Sequence, residues 1–191
     1  MALLEISGIF NEIMGNKRKA FLVFLATVGF VFAAAGALGH FVIMVLVMIE
    51  IAMAFFIGEF ELRKFGFELV TLVAVLTGYL FGPGVGGIMG LALLSLHFIL
   101  TRSFGAYVFY CVPAMGAVGF LAGSSVFTGW LGGDIALIGI MLSLLYNIVT
   151  GGLGSFLFRD TFDEMLWSGT NLLFNLILFY RFAPIVLSMI G

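Results

Sequence analysis

Long apolar runs, separated by a few short clusters of charged residues, make up most of this chain. The first long run covers residues 20–57 and holds a single charged residue. As one helix it would be roughly 57 Å long, about twice the thickness of membrane hydrocarbon. The run is therefore predicted to fold back on itself, with Gly36, Gly39 and His40 at the turn.

A second long run, residues 66–100, is interrupted by the sequence Gly82-Pro83-Gly84. Proline removes a backbone donor and glycine tolerates tight turns, so two helices are expected on either side of this break. Further along the chain, Asp134 is the expected N-cap of a helix that follows a glycine-rich turn. The predicted membrane-spanning helices cover residues 20–38, 40–57, 66–81, 84–100, 105–127, 134–153 and 169–188.

Two segments of the chain have an amphipathic pattern. Residues 1–19 place apolar side chains at helical spacing ahead of a basic cluster, which predicts a surface helix and charges at the level of the lipid headgroups. Residues 158–166 form a second interfacial segment, followed by Trp167 as an anchor and Ser168 as a cap for the last helix. Residues 1–191 are predicted to form one all-α domain, a polytopic transmembrane bundle of about seven helices.

Composition determines the solvent in which such a bundle is stable. Of the 191 residues, 63% are hydrophobic and only 9% are charged, and the mean hydropathy is +1.26. A water-soluble domain of this size needs more charge on its surface, so the lipid bilayer is the expected surroundings, with a multi-pass location in the cell membrane. The net charge of −2 gives no reason to expect a nucleic-acid partner.

Catalytic and metal-binding patterns are not found in the sequence. The single cysteine cannot form a zinc site alone or an intrachain disulfide, and two histidines without a third argue against a histidine-rich metal site. The sequence also contains no Gly-x-Ser-x-Gly, His-Glu-x-x-His or Walker lysine motif. We therefore expect no catalytic residues, no metal and no cofactor, and a protein that is not an enzyme.

Polar side chains within the apolar runs are the strongest candidates for function. Glu50 lies near the middle of a predicted helix, where an ionised carboxylate costs about 2.5 kcal/mol or more unless it is paired or faces a polar cavity. A ligand contact and a structural hydrogen bond are both open for it. Asn147, Asn171 and Asn175 are also predicted within the membrane, where amides commonly tie helices together.

Small residues recur at four-residue spacing along several predicted helices. Such stripes allow two backbones to approach closely, and this packing drives helix association in lipid. They pack helices within this chain or, on the second interpretation, dock a partner subunit. The residues concerned are Gly29, Ala33, Ala37, Gly78, Gly82, Gly86, Gly90, Gly119 and Gly123.

From about Val45 to Gly154, a little over half of the chain, the order of short motifs resembles a family of transporter subunits. This family is the substrate-binding S-component of energy-coupling-factor (ECF) vitamin transporters, in its Gx-transporter or heptaprenyl-diphosphate-synthase component I-like branch. The matching segments are Met48-Ile49-Glu50, Phe67-Glu68-Leu69-Val70-Thr71-Leu72, Leu80-Phe81-Gly82-Pro83, Arg102-Ser103-Phe104-Gly105, a helix containing Pro113, Gly116 and Gly123, Ile138-Gly139-Ile140 before Asn147, and the closing Asn171-Leu172-Leu173-Phe174-Asn175.

The resemblance implies a six-helix core at about 40–188, with helix 20–38 as an addition. Such a core would hold a small vitamin-like or anionic solute near the outer face of the membrane, and a transmembrane coupling subunit with two ATPases would power its uptake. The resemblance, together with the position of His97 at the end of a predicted helix, implies that six residues surround the solute. Three of them, Arg63, Lys64 and Arg102, would suit an anionic group. The six residues are Glu50, Arg63, Lys64, His97, Arg102 and Asn147.

Orientation and function each leave two alternatives. If the N-terminus is cytoplasmic, seven of the eight basic residues lie on the cytoplasmic side. The family resemblance instead places the connections at 58–66, 101–104 and 154–168 outside the cell. The functional alternative to a solute-binding subunit is a structural or assembly subunit of a membrane complex, such as the rod-shape proteins of cell-wall elongation, with no transport activity of its own.

Overall fold

The computed structural model describes residues 37–60, 62–158 and 161–190, and these residues are helical with short connections and no strand. The predicted all-α fold is confirmed for this part of the chain. The surface helix at 1–19 and the additional helix at 20–38, apart from its last two residues, lie outside it. The helices are α1 (Ala37–Glu59), α2 (Val70–Phe81), α3 (Pro83–Leu100), α4 (Val108–Gly123), the short α5 (Ser125–Trp130), α6 (Ile135–Phe158) and α7, which consists of Thr161–Ile177, a π-helical turn Leu178–Phe182 and Ala183–Ile190.

Apart from the short α5, the described helices alternate in direction along the chain, because short connections join each one to the next. The connection 60–69, the connection 101–107 and the junction of α6 with α7 therefore lie at one end of the bundle, which we call the loop end. Gly82 and the segment 124–134 lie at the opposite end, the turn end. A 3₁₀ turn, Leu62–Phe65, forms part of the first of these connections.

Among the described residues, four helices are long and apolar enough to cross a membrane: Leu38–Glu59, Pro83–Leu100, Ile135–Gly154 and Met165–Ile190. Between them lie two shorter apolar helices, α2 and α4. Large apolar side chains such as Phe109 and Phe120 are exposed on the outside of the bundle. An apolar exterior over helices of this length is typical of a membrane-embedded protein, whose outer surface faces hydrocarbon.

Helix α2 is the centre of the bundle. Residues 70–78 are all buried, so this helix is apolar on every side, as expected for an element surrounded by other helices. Helices α3 and α4 pack against it most closely. The remaining long helices complete the wall around this group, and the fully buried side chains of α6 and α7, Leu142, Tyr146 and Phe179, belong to the same core.

Glycines bring α2, α3 and α4 into backbone contact. A Cβ atom placed on Gly119 would overlap the carbonyl oxygen of Gly86, and one on Gly78 would overlap that of Gly119. A Cβ on Gly90 would likewise meet the carbonyl group of Met115. Since these atoms are backbone, they cannot rotate away.

The stripes of small residues in these helices therefore pack within the chain. Gly123 belongs to the same group, since its Cβ would lie 2.5 Å from the Gly78 carbonyl oxygen. Gly82 differs, because it has open space around it and a φ of +93°, which only glycine adopts readily. Gly29 and Ala33 lie outside the described residues, and only the backbone of Ala37 is described.

Two predicted turns or caps lie inside helices. α1 already begins at Ala37, so Gly39 and His40 are helical, and the ring of His40 stacks on Phe81 at 5.0 Å. Ser168 lies within α7, which begins seven residues earlier, at Thr161. In both places a small or polar residue contacts a neighbouring helix. The same residue types are common in turns and caps, so the local sequence does not distinguish the two cases.

Other local signals predicted the structure well. The carboxylate of Asp134 accepts the backbone N–H groups of Ala136 at 2.8 Å and Leu137 at 3.2 Å, so it is the N-cap of α6. In α7, a π-helical turn, Leu178–Phe182, directly precedes the segment that contains Pro184. The predicted helix 105–127 is divided, because Ser124 has an extended backbone between α4 and α5.

Candidate functional site

A cavity of about 430 Å³ opens at the loop end of the bundle. Its size is within the range of small-molecule sites in proteins. The connections 60–69 and 101–107 contribute to it together with the ends of the adjoining helices. The residues that line it are Ile57, Leu62, Gly66, Phe67, Glu68, Leu94, His97, Phe98, Thr101, Arg102, Ser103, Phe104, Tyr107, Tyr110, Cys111, Thr150 and Trp167.

The inner and outer parts of the cavity differ in character. Its inner wall is formed by buried residues, among them Glu68, Thr150 and Phe98, with His97 12% exposed. Its mouth is formed by exposed residues, notably Arg102 and Phe104. A solute that fills the cavity would therefore place one end among buried polar groups and the other near water.

Glu50 supports the cavity from behind. Its side chain is only 1% exposed and is absent from the lining. One carboxylate oxygen accepts the backbone N–H of Leu69 at 2.6 Å, and the other lies 2.6 Å from Nδ1 of His97. The contact with Leu69 places the carboxyl group at the N-terminus of α2, where N–H groups lack partners within the helix and the dipole favours negative charge.

The sequence left open a ligand contact or a structural hydrogen bond for Glu50, and its contacts in the structure are structural ones. It connects α1 to α2 through Leu69 and to α3 through His97. It reaches the cavity only through the imidazole of His97, which does line it. Glu50 thus holds His97 in one orientation, with its Nδ1 atom occupied by the carboxylate.

Glu68 is the carboxyl group that borders the cavity itself. It is 2% exposed, and its Oε1 atom accepts the Thr71 hydroxyl at 2.7 Å and the Asn171 amide at 3.2 Å. Its Oε2 atom is buried and has no hydrogen-bond partner among the described residues. Burial raises the pKa of this carboxyl group, which lies in the connection between α1 and α2.

Sequence reasoning did not select Glu68 as a site residue, although it placed this carboxyl group near the start of the predicted helix 66–81. Two local signals point to it. Glu68 stands directly before an apolar helix, and Thr71 follows at the spacing at which a carboxylate and a hydroxyl meet at a helix start. The depth of the connection beneath the cavity mouth is a tertiary feature that these signals do not contain.

Three asparagines form a buried cluster beside the cavity. The side-chain oxygen of Asn171, Oδ1, accepts hydrogen bonds from the side-chain amides of Asn147 at 2.9 Å and Asn175 at 3.1 Å. Its own amide donates to the backbone oxygen of Gly66 at 2.8 Å and to Glu68. Asn171 therefore ties α6 and α7 to the connection that carries Glu68. Asn147 is absent from the cavity lining and contacts the site only through this cluster.

Replacing Asn171 with alanine is expected to lower the free energy of unfolding by about 2 kcal/mol, because several buried polar partners lose their hydrogen bonds together. Thermal unfolding of the detergent-purified protein measures this change. Thr170→Val is the control, since the Thr170 hydroxyl donates only to carbonyl oxygens of its own helix. Equal melting temperatures for the two variants would contradict a role for Asn171 as the centre of the cluster.

Of the predicted basic site residues, the structure describes the side chain of Arg102. It lies at the cavity mouth, has a φ of +54°, and pairs with Glu59 at 3.1 Å. Both partners are largely exposed, so this pair adds little to stability. Arg63 and Lys64 belong to the 3₁₀ turn beside the mouth, and their side chains lie outside the described part of the structure.

Within the described residues, no group of three His, Cys, Asp or Glu side chains is placed to hold a metal ion. The cavity instead offers a carboxyl group, an imidazole, hydroxyls and aromatic rings, which are groups suited to an organic solute. A scan of protein-family models, a search of curated proteins and a search of solved structures each found no match to this chain.

Proposed function

We propose that this protein is a membrane-embedded solute-binding subunit that takes up a small organic molecule across the cell membrane. The observation that carries the proposal is the cavity at the loop end, whose inner wall holds the buried carboxyl group of Glu68, one oxygen of which has no hydrogen-bond partner among the described residues. A buried polar atom without a partner is unfavourable, so a fold that retains one beside a cavity is typical of a binding site.

The location of the cavity supports the same proposal. The resemblance to ECF S-components implies a solute site formed near the connections at 58–66, 101–104 and 154–168. The cavity is lined by residues of the first two connections and by Trp167, which lies within the third range. On this proposal, a coupling subunit and two ATPases supply the energy for uptake, and the exposed apolar helices of the bundle face lipid or the coupling subunit.

The alternative function, a structural or assembly subunit, loses part of its support. It was motivated by stripes of small residues, and in α2, α3 and α4 these glycines are covered by one another within the chain. They are therefore not available to a partner. A cavity with polar groups in its inner wall is also not required for a purely structural role.

Uptake requires the mouth of the cavity to face the outside of the cell. The test places one cysteine at each end of the bundle in a Cys111→Ser background, which removes the only natural thiol. Ala106→Cys reports on the exposed connection beside the mouth. Gly129→Cys reports on the turn end, where a Cβ atom meets nothing within 4 Å among the described residues.

We expect a membrane-impermeant maleimide to label Ala106→Cys in intact cells, and to label Gly129→Cys only after detergent opens the membrane. The reverse pattern would place the mouth in the cytoplasm, as the count of basic residues predicts, and would contradict uptake. Because both cysteines are exposed, a difference between them reports the side of the membrane rather than burial.

A further inference from the structure

The chemistry of the cavity also restricts the kind of solute, and this inference rests on the proposed function. The inner wall holds the carboxyl group of Glu68 and the imidazole of His97, whose Nδ1 is occupied by a second carboxyl group, Glu50. Two carboxyl groups against one imidazole give this part of the cavity no excess of positive charge. Among the described side chains, an anionic group placed there would find no cationic partner except the imidazole that Glu50 already engages.

The described basic side chain at the cavity lies elsewhere. Arg102 is 70% exposed at the mouth and is already paired with Glu59. A guanidinium in that position is surrounded by water, where its attraction for an anion is weak. The inner wall therefore favours a solute group that donates hydrogen bonds, and the expectation of an anionic group finds no support there.

Glu68 provides the acceptor for such a donor. Its two oxygens have separate roles, since Oε1 is held by Thr71 and Asn171 while Oε2 has no partner in the described part of the chain. The two contacts to Oε1 fix the carboxyl group in place before any solute arrives. A fixed, buried acceptor binds an N–H group more strongly than a mobile, solvated one.

Six aromatic side chains line the cavity as well. They come from the first connection, from α3, from the second connection, from α4 and from α7, so they surround the space on several sides. Rings around a cavity of this size favour a flat solute, which packs against their faces over a large area. The aromatic residues are Phe67, Phe98, Phe104, Tyr107, Tyr110 and Trp167.

We propose that the solute is a planar aromatic or heteroaromatic molecule that is neutral or cationic and donates an N–H group to Oε2 of Glu68. The ring lies between the aromatic side chains, and the donating edge points toward the buried carboxyl group. The end of the solute near Arg102 stays close to water and is recognised less strictly.

Three related probes test this assignment, one for the polar group and one for the ring against a common parent. Benzamidine has an aromatic ring with an N–H-donating group, benzoate has the same ring with an anionic group, and cyclohexanecarboxamidine has the donor without the flat ring. Binding to the detergent-purified protein is followed by tryptophan fluorescence, since Trp167 lies in the cavity wall. We expect benzamidine to bind at least tenfold more tightly than either of the other probes.

The variant Glu68→Gln tests the residue. Its amide oxygen keeps the acceptor for Thr71 and Asn171, while its NH₂ group takes the place of Oε2, so the fold is retained and the free position changes from acceptor to donor. We expect benzamidine affinity to fall at least tenfold. Asp134→Asn is the matched control. It makes the same chemical change at the turn end, far from the cavity, and asparagine is as good an N-cap as aspartate.

The outcomes separate this inference from the proposed function. Tighter binding of benzoate, equal binding of the cyclohexane probe, absence of benzamidine binding, or an unchanged affinity in Glu68→Gln would each overturn the inference about the solute. None of these results alters the side of the membrane on which the cavity opens. If Ala106→Cys were labelled only after detergent opens the membrane, uptake would be overturned. Benzamidine binding would still report the chemistry of the cavity in that case.

Discussion

Replacing Glu50 with leucine is expected to lower the free energy of unfolding by about 3–5 kcal/mol, the largest effect that we expect from one substitution in this protein. Leucine fills a similar volume but accepts no hydrogen bond. The Leu69 N–H at the start of α2 and the His97 imidazole would then lose their acceptor in an apolar interior. Buried donors without acceptors account for the size of the effect.

Thermal unfolding in detergent measures this change, and Glu50→Gln is the matched control. Glutamine retains an oxygen that can accept from either Leu69 or His97, so its expected loss is about half that of leucine. If leucine at this position were tolerated as well as glutamine, the hydrogen bonds of Glu50 would not hold α1, α2 and α3 together, and the structural role inferred for this carboxyl group would be wrong.

The second large effect concerns backbone contact between helices. Gly119→Ala is expected to cost about 3 kcal/mol, at the upper end of the range for overpacking, because the added methyl group would meet the backbone of Gly86. A side chain could rotate aside, but a carbonyl group within α3 cannot do so without moving the helix. The same denaturation measurement applies, together with the monodisperse fraction recovered by gel filtration.

Gly152→Ala is the control for Gly119. It introduces the same methyl group into the middle of α6, where no atom of the described residues lies within 4 Å of it. Alanine favours a helix over glycine by about 1 kcal/mol, so this variant is expected to be as stable as the parent or slightly more stable. A similar loss of stability for both variants would mean that the contact between α3 and α4 does not explain the result, since helix propensity alone predicts a gain.

Much of the helical fold could be predicted from local pattern. The long apolar runs correspond to long helices because the thickness of hydrocarbon imposes a length that hydropathy records directly. The break at Gly82 and Pro83 and the cap at Asp134 could both be predicted, because each depends on the conformational limits of one or two residues. Gly39, His40 and Ser168 were misread as turn or cap residues because their contacts are with distant helices.

Length and hydropathy alone were enough to predict a helical protein suited to an apolar solvent, with a carboxyl group inside a long apolar run. Only the tertiary structure decided what shelters Glu50, that Glu68 rather than Asn147 borders the cavity, and that the glycines of α2, α3 and α4 cover one another. The physical reason is that length and hydropathy are local properties of a segment. Which helices become neighbours depends on contacts such as that between Asn171 and Gly66, 105 residues apart in the chain, which no local pattern contains.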